Sequence, residues 1–142
     1  MIKVGVIGAG HLGKIHLNIL SNSVFELIGF HDTDIAYSEK LSKEKGYLFF
    51  ADLNSLIEKI DAAVIVSPTT THFEIAKLLI ESTKNVLIEK PMTLSIKESE
   101  ELVSLVNENK VSAMVGHVLL FHPALKKIKK MITSGDIGKL QY

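Results

Sequence analysis

Three glycines near the beginning of the chain have the spacing of a phosphate-binding turn. Gly8, Gly10 and Gly13 form the pattern G-x-G-x-x-G, with His11 and Leu12 between the last two glycines. In such a turn the first glycine permits a tight bend, the second lets the backbone approach a pyrophosphate, and the third allows a helix and a strand to pack closely. The N–H groups and the positive dipole end of the following helix then face the phosphates. The spacing predicts a dinucleotide site if a strand precedes the turn and a helix follows it.

Asp32 is the second residue expected at such a site. It lies 24 positions after Gly8, at the end of a predicted strand, where its carboxylate can accept hydrogen bonds from ribose hydroxyls. Asp32 would repel a 2'-phosphate, and Thr33 and Asp34 provide no arginine to receive one, so the pattern favours NAD over NADP. One alternative is that Asp32 only caps a turn, and another is that the glycines form a packing turn without a ligand. The strand before the turn, the glycine spacing and the carboxylate of Asp32 together favour a bound dinucleotide over both alternatives.

A second segment whose residues could take part in binding or catalysis ends in Glu89, Lys90 and Pro91. An apolar run over Val86 to Ile88 precedes it and predicts a strand. At the carboxyl end of a central parallel strand, side chains face the crevice where α/β sheets bind ligands. There the Lys90 ammonium can hydrogen-bond to a ligand hydroxyl and stabilise charge on its oxygen, or the side chain can act as a base. The alternative is an exposed lysine at a strand end. Glu89 points to the opposite face, so a direct Glu89–Lys90 bridge is not expected.

The pattern around these residues predicts alternating strands and helices. The predicted strands are Ile2 to Ile7, Phe25 to His31, Tyr47 to Phe50, Ala62 to Val66, Asn85 to Ile88 and Val111 to Val115. Six helices are predicted. The first has Leu12, Ile15, Ile19 and Leu20 at helical spacing, and the second covers Asp34 to Lys45. The third is capped by Asp52, capping boxes at Thr71–Glu74 and Ser95–Glu98 open the fourth and fifth, and the sixth covers Ala124 to Thr133. This alternation predicts an α/β fold with a doubly wound parallel sheet, the Rossmann fold, in a single domain.

Composition limits the remaining function classes. The chain has 142 residues, 46% of them hydrophobic, which suffices for one core. Its 16 basic and 16 acidic residues cancel, so the overall charge does not favour a nucleic-acid or anionic-membrane partner. The absence of cysteine excludes thiolate ligands and nucleophiles, and the six histidines lack metal-site spacing, so we expect no metal. Without a signal-peptide pattern or a long apolar run, we expect a soluble, cytoplasmic protein.

In this order, the motifs resemble the amino-terminal domain of the Gfo/Idh/MocA family of NAD(P)-dependent oxidoreductases. The shared pattern is a glycine-rich turn, an acid after the second strand, a proline-containing loop followed by histidine, and then Glu-Lys-Pro, and it covers essentially the whole chain. The resemblance implies a substrate-binding or catalytic role for Lys90. It implies cofactor contacts from Ser67, Pro68, Thr69, His72, Glu89 and Lys90, in addition to the glycine turn with His11 and Leu12. Thr71 is expected to cap a helix, and His72 to be structural or adjacent to the cofactor.

The loop Gly116 to Ala124 corresponds to the family segment that lines the nicotinamide and substrate pocket. Many members carry Asn-Arg-x-Phe-x-Pro there. The histidine-containing version in this chain looks closer to members acting on nucleotide-linked amino sugars, such as UDP-N-acetylglucosamine 3-dehydrogenases. The resemblance makes His122 a catalytic candidate that would orient a sugar hydroxyl or relay a proton, together with His117. The alternative is that His122 caps the next helix and His117 is packed.

The predicted organisation is a dinucleotide-binding domain over residues 1–136 and the start of a second domain over residues 137–142, the rest of which is missing. In the family that second α/β domain completes the substrate pocket and forms most of the oligomer interface. We expect the NAD(P)-binding domain of an oxidoreductase that transfers a hydride between the nicotinamide and a sugar, sugar-nucleotide or cyclitol alcohol. A homo-oligomer is compatible with this expectation. The alternatives are a non-enzymatic NAD-binding or regulatory module and a Rossmann-like domain without a ligand.

Overall fold

A computed structural model describes residues 1–139 and 141 and shows a five-stranded parallel sheet in the order β2-β1-β3-β4-β5. The strands are β1 (Lys3–Ile7), β2 (Glu26–His31), β3 (Ala62–Ile65), β4 (Asn85–Ile88) and β5 (Ala113–Val115). The helices are α1 (His11–Ser21), α2 (Ile35–Lys45), α3 (Leu53–Ile57), α4 (His72–Glu81), α5 (Ile96–Asn109) and α6 (Pro123–Ser134), with short 3-10 turns at Thr69–Thr71 and Val118–Phe121. The predicted doubly wound Rossmann fold is confirmed.

The strand order places a topological switch point beside β1. The chain leaves β1 towards β2 on one side and then continues with β3 on the other side of β1. In open α/β sheets, ligands bind in the crevice at the carboxyl ends of the strands on either side of such a point. The hydrogen bonds continue in line past the strand ends, from Val66 N–H to Ile7, from Glu89 N–H to Ile65 and from Gly116 N–H to Ile88. The segments that follow these strands therefore meet at one edge of the sheet.

The core has two apolar layers, one on each face of the sheet. Val4, Val6 and Val64 pack with Leu17 of α1 and Phe30 on one face. The alternate strand positions pack on the other face with α4 and α5, through Ile7, Ile65, Ile88, Leu79 and Leu102. Burying each such side chain contributes about 1.5–3 kcal/mol. Because the central strands are buried on both faces, they read in sequence as short continuous apolar runs.

The buried face of α1 does not coincide with the apolar residues that predicted the helix. Leu12, Ile15 and Ile19 are exposed, whereas Gly13, Leu17 and Leu20 are buried. A side chain at position 13 would overlap the carbonyl oxygen of Gly8, so the helix turns its glycine towards the strand and the isoleucines point away. The apolar spacing indicated a helix correctly, but of its four residues only Leu20 is buried.

Two further predictions about local structure are corrected. Thr71 makes no side-chain cap to α4, because the 3-10 turn before the helix leaves Thr71 already helical, and its hydroxyl instead donates to the Pro68 carbonyl at 2.8 Å. The segment Tyr47 to Phe50 is not a full strand, since it pairs with β2 only through a bridge between Phe30 and Phe49. The sheet therefore has five strands where the sequence predicted six.

Other local predictions are confirmed. Ser95 and Glu98 form the predicted capping box of α5, and Gly46 ends α2 in the left-handed conformation. Asp52 caps α3, and hydrogen bonds from Ser55 hold the pKa of the Asp52 carboxyl below its ordinary value. The start of a second domain was predicted over residues 137–142, of which Leu140 and Tyr142 lie outside the described residues. No helix in the described part is long and apolar enough to cross a membrane.

Candidate functional site

Two glycines of the turn between β1 and α1 are required by the protein itself. Gly8 has a φ of +97°, and a Cβ built on it would lie 2.6 Å from the backbone nitrogen of Ser67. Gly13 packs directly against the Gly8 carbonyl, as described above. The first position therefore needs glycine for its backbone conformation and for close contact, and the third needs it for close contact.

Gly10 has no such requirement. Its φ of −62° is accessible to any residue, and a Cβ built on it would meet no atom within 4 Å. Gly10 is exposed at the amino terminus of α1, where no side chain caps the helix. The space in front of Gly10 is open, and first-turn N–H groups that lack a side-chain cap are the donors that phosphate oxygens accept. The turn therefore fits a pyrophosphate, and glycine at position 10 leaves room for that approach in addition to being a favourable N-cap residue.

Asp32 connects the end of β2 to the glycine turn. Its Oδ2 accepts a hydrogen bond from the Ala9 N–H at 2.6 Å, and its Oδ1 accepts one from the Asp34 N–H at 3.0 Å. Asp32 thus does cap a turn, which was the alternative raised from sequence. A carboxylate offers about four acceptor positions, so its partly exposed side chain retains capacity for ribose hydroxyls.

Removal of the Asp32 carboxylate should destabilise the turn. Ala9 is fully buried, and in Asp32→Ala its N–H loses its partner. Leaving a buried donor unpaired costs about 1–3 kcal/mol. We expect a decrease of that size in the free energy of unfolding, measured by urea denaturation. Asp32→Asn keeps one acceptor oxygen and should lose less, and a loss below about 0.5 kcal/mol in Asp32→Ala would show that the Ala9 hydrogen bond does not form in solution.

A small pocket opens between the carboxyl ends of β1, β2 and β3. It has a volume of about 160 Å³ and is bordered by Gly8, Asp32, Ser67, Pro68 and Ile75, among others. The pocket combines an apolar wall with a carboxylate and loop hydroxyls at its rim. It lies at the topological switch point, where doubly wound sheets hold the nucleoside part of a dinucleotide. A larger open groove of about 700 Å³ lies between the loop that follows Pro91 and α5, outside this crevice.

The predicted loop residues after β3 border the pocket, but they differ in availability. Ser67 and Pro68 line it directly, and the hydroxyl of Thr71 donates to Ser67 Oγ at 2.7 Å. Thr69 begins the 3-10 turn and is partly exposed. His72 is 1% exposed and places both ring nitrogens against backbone carbonyls. This geometry agrees with a structural role for His72 and leaves no ring nitrogen for a direct ligand contact.

Lys90 and Glu89 lie at the carboxyl end of β4 and have opposite environments. Lys90 is exposed, and the peptide bond between Lys90 and Pro91 is cis. Glu89 is 8% exposed, and its Oε2 accepts the Lys90 backbone N–H at 3.1 Å. Its Oε1 lies 3.2 Å from Nε2 of His16 on α1. The Glu89 carboxylate therefore orders the backbone at Lys90 without pairing with its ammonium, as the alternation along a strand predicts.

Gly116, at the end of β5, completes the surroundings of Glu89. A Cβ on Gly116 would lie 3.0 Å from the Glu89 carboxyl carbon, so a larger residue would displace the carboxylate. The glycine, the α1 histidine and the Lys90 N–H thus enclose Glu89 from three elements. Glu89 is buried below the crevice surface, whereas its neighbour Lys90 faces solvent.

His122, the second catalytic candidate, caps α6. Its Nδ1 accepts the Ala124 N–H at 3.2 Å, which is the capping role considered from sequence. His117 is exposed rather than packed. The turn between the two histidines, Val118–Phe121, exposes four consecutive apolar side chains by 57–69%. The catalytic assignment of His122 remains a prediction.

Sequence reasoning missed two residues of the site. The Tyr37 hydroxyl on α2 donates to the Ala9 carbonyl at 2.8 Å, and His16 pairs with Glu89. His16 stands between Gly13 and Leu17 on the buried side of α1, so a polar residue on that face was the available signal. It is visible only once the correct face of the helix is known. Among the described residues, no group of three or more His, Cys, Asp or Glu side chains comes together in a way that could hold a metal ion.

Comparisons with known proteins agree with this geometry. The sequence model of a family described as an oxidoreductase family with an NAD-binding Rossmann fold matches residues 2–117. The chain is 31% identical to UDP-N-acetylglucosamine 3-dehydrogenase of Acidithiobacillus ferrooxidans over 91% of its length, and 34% identical to scyllo-inositol 2-dehydrogenase (NAD(+)) of Bacillus subtilis over 99%. The solved structure of the former superposes with a TM-score of 0.84. Myo-inositol 2-dehydrogenase from Lactobacillus plantarum, 27% identical, superposes with a TM-score of 0.87 over 99% of this chain.

These relatives are longer than this chain. It covers 41% of the A. ferrooxidans enzyme and 43% of the B. subtilis enzyme. In the two solved structures it covers 42% and 43% of the respective chains. The chain therefore spans about two fifths of the length of the curated relatives that it matches.

Proposed function

Because this chain belongs to the Gfo/Idh/MocA oxidoreductase family through its NAD-binding Rossmann domain, we propose that it is the cofactor-binding part of a dehydrogenase that oxidises an alcohol of a sugar, sugar nucleotide or cyclitol. NAD is the proposed cofactor and NADP the less favoured one. A cytoplasmic location belongs to the proposal, and so does a homo-oligomer. The relatives named above, a UDP-sugar dehydrogenase and inositol dehydrogenases, support the substrate class.

The observation that carries the proposal is Gly10. Neither its backbone conformation nor its packing requires glycine, yet a side chain there would fill the space in front of the helix amino terminus. A pyrophosphate in that space accounts for the residue. The proposed cofactor contacts are the N–H groups of Gly10, His11, Leu12 and Gly13, the carboxylate of Asp32, and the loop groups of Ser67, Pro68 and Thr69.

Bound NAD supplies a hydride acceptor in its nicotinamide ring. We assign the Lys90 side chain to the substrate hydroxyl, because it is exposed at the carboxyl end of β4, where ligands of this fold bind. When the alcohol carbon gives up its hydride, the hydroxyl must also lose its proton; an uncharged Lys90 amine would accept that proton, and as an ammonium the same group would stabilise negative charge on the oxygen. Glu89 holds the Lys90 backbone from below through the N–H bond described above. Since both Glu89 and His72 are occupied by protein groups, their support of the cofactor site is indirect.

The exposed turn Val118–Phe121 supports the part of the proposal that concerns the substrate. A run of exposed apolar side chains is typical of a surface that binds protein, membrane or ligand. We propose that additional protein, of the kind by which the relatives exceed this chain, covers this turn and closes the substrate pocket beside Lys90 and His122. A second domain beginning at residues 137–142 is part of this proposal.

Calorimetric titration of the chain with NADH tests the cofactor assignment. We expect one site with a Kd at or below about 1 mM. Gly10→Ala is the variant that tests the site. Its added Cβ meets no protein atom within 4 Å, and the poorer helix cap should lower the free energy of unfolding by less than about 1 kcal/mol. We expect the variant to remain folded and to bind NADH at least about tenfold more weakly. If the folded chain fails to bind NADH, the proposal is wrong, and a ligand-free Rossmann domain is the remaining interpretation.

The same titration with NADPH tests the role of Asp32. We expect NADPH to bind at least about tenfold more weakly than NADH, since the Asp32 carboxylate repels a 2'-phosphate. Asp32→Asn should reduce this difference by weakening NADH and sparing NADPH. Equal affinity for both cofactors in the unmodified chain would remove Asp32 as the selecting group. NADH binding without turnover on any sugar, sugar nucleotide or cyclitol would favour the non-enzymatic module.

A further inference from the structure

Glu89 is a buried carboxyl group at the edge of the sheet where the proposed site lies. Its residue is 8% exposed, and glutamate is almost never buried to this degree unless it is paired. An apolar side chain of similar size would fill the same space without the cost of removing a carboxylate from water. The donors that surround this carboxylate therefore indicate what it is used for.

The first donor is the backbone of Lys90. The Glu89 N–H continues the ladder beyond β4 by donating to the Ile65 carbonyl at 2.9 Å. The next N–H along the chain, that of Lys90, donates to Oε2 of Glu89 at 3.1 Å instead. The carboxylate thus holds the backbone just outside the sheet ladder, and this backbone carries the Lys90 side chain.

The second donor is on α1, the helix that begins at the glycine turn. Nε2 of His16 lies 3.2 Å from Oε1 of Glu89. A neutral ring with its hydrogen on Nε2 donates to a carboxylate, and a protonated ring carries the same hydrogen, so the bond does not depend on the charge of His16. His16 follows Gly13 by three positions, and close contact between Gly13 and Gly8 sets α1 against β1. The carboxylate is therefore held from the helix assigned to the pyrophosphate.

Gly116 limits the space on the remaining side. A Cβ built on Gly116 would lie 3.0 Å from the carboxyl carbon and Oε2 of Glu89, and 3.1 Å from Oε1, which are the nearest atoms it would meet. The Gly116 N–H donates to the Ile88 carbonyl at 2.8 Å, so its backbone is tied to the sheet. The carboxylate thus lies between α1 and the end of β5, with contacts on both sides.

We propose that His16 is a positioning residue for Lys90: its ring holds the Glu89 carboxylate, and the carboxylate holds the backbone that carries Lys90. This connection sets the Lys90 side chain relative to the helix whose amino terminus is assigned to the cofactor. The inference rests on the proposed function for the roles of α1 and Lys90. The connection itself rests on two hydrogen bonds and on the burial of Glu89.

Nuclear magnetic resonance of the cofactor-free chain tests the connection. His16→Leu removes the donor, whereas the side-chain amide of His16→Gln can reach the same oxygen. We expect hydrogen exchange of the Lys90 amide to become at least about fivefold faster in His16→Leu and to change by less than about twofold in His16→Gln. An unchanged Lys90 amide in the folded His16→Leu chain would overturn the proposal.

Gly116→Ala perturbs the carboxylate from the opposite side and leaves both donors in place. Because its methyl group displaces the Glu89 carboxyl group, we expect exchange of the Lys90 amide to become faster, as in His16→Leu. Gly10→Ala adds the same methyl group where it meets no protein atom within 4 Å and should leave this amide unchanged. Equal effects of the two alanine variants would contradict the connection. If His16→Leu does not fold, this pair decides.

The protonated nitrogen of His16 provides a test in the unmodified chain. In a sample labelled with ¹⁵N-histidine at pH 7, Nε2 of His16 should carry hydrogen, with the signal assigned by its loss in His16→Gln. A ring with hydrogen on Nδ1 alone would have no donor for the carboxylate and would overturn the proposal.

Turnover separates positioning from stability. In the proposed dehydrogenase, His16→Leu should lower kcat by about tenfold or more, because small displacements of a reacting group are costly. The Kd of NADH should stay within about threefold, since the proposed pyrophosphate donors precede His16 on α1. His16→Gln should restore most of kcat, and equal losses in both variants would show that the hydrogen bond is not the cause. Failure of NADH to bind the unmodified chain would refute the proposed function, and the amide measurements would still decide whether His16 holds Glu89.

Discussion

Gly13→Ala is expected to unfold most of the chain or lower its melting temperature by about 10 °C or more. The Cβ of an alanine at position 13 would overlap the carbonyl oxygen of Gly8. That oxygen belongs to a backbone held in the sheet, since the Gly8 N–H donates to the His31 carbonyl at 2.9 Å. It therefore cannot move aside as a flexible side chain would. Forced overlap in a packed core costs about 3 kcal/mol or more, a large part of ordinary domain stability.

Gly10→Ala is the control for this prediction, because it places the same methyl group three residues earlier on the same turn. The melting temperatures of the two variants, measured by circular dichroism, should differ by most of the decrease that Gly13→Ala shows relative to the unmodified chain. A similar melting temperature for both variants would mean that α1 can move away from β1. The two variants also separate two roles of the glycine motif, since Gly13 is needed for the packing of α1 against β1 and Gly10 for binding the proposed cofactor.

Lys90→Met is expected to lower the turnover of the proposed dehydrogenase by about 10²–10⁴-fold, the range of a positioned acid or base. Methionine keeps an unbranched side chain and removes the charge and the proton. Because Lys90 is exposed, its charge contributes little to folding. We therefore expect the Kd of NADH to stay within about fivefold and the melting temperature to stay unchanged. The measurement is steady-state oxidation of a sugar, sugar-nucleotide and cyclitol panel with NAD.

Lys90→Arg separates the two roles that a lysine can take. Arginine keeps the positive charge but is not deprotonated in proteins. Turnover retained in Lys90→Arg would assign charge stabilisation to Lys90, whereas a loss equal to that of Lys90→Met would assign proton transfer. Full turnover in Lys90→Met would remove Lys90 from the chemistry altogether.

Much of the fold could be predicted because its signals are local. The strand boundaries at β4 matched the structure, and the capping box at Ser95 and Glu98 formed as predicted. The glycine spacing, the acid at the end of β2 and the Glu-Lys-Pro segment placed the candidate site at one edge of the sheet. These features depend on neighbouring residues or on a short periodic pattern, and such signals are present in the chain before it folds.

Other expectations failed where distant parts of the chain compete for the same atoms. The hydroxyl of Thr71 was expected to cap α4 but donates to the Pro68 carbonyl and lies within hydrogen-bond distance of the Ser67 hydroxyl, because the preceding 3-10 turn changes its backbone conformation. Leu12, Ile15 and Ile19 have helical spacing, yet contact between Gly13 and Gly8 rotates them towards solvent.

The sequence by itself determined that this chain forms alternating strands and helices with a dinucleotide turn, since hydrophobic period, glycine conformations and capping residues act over a few positions. Only the tertiary structure decided how the site is held together. His16 meets Glu89 across 73 positions, and His72 meets Pro91 across 19. Such bonds depend on which elements the sheet order brings side by side and on which face each helix buries, and neither is encoded in local spacing.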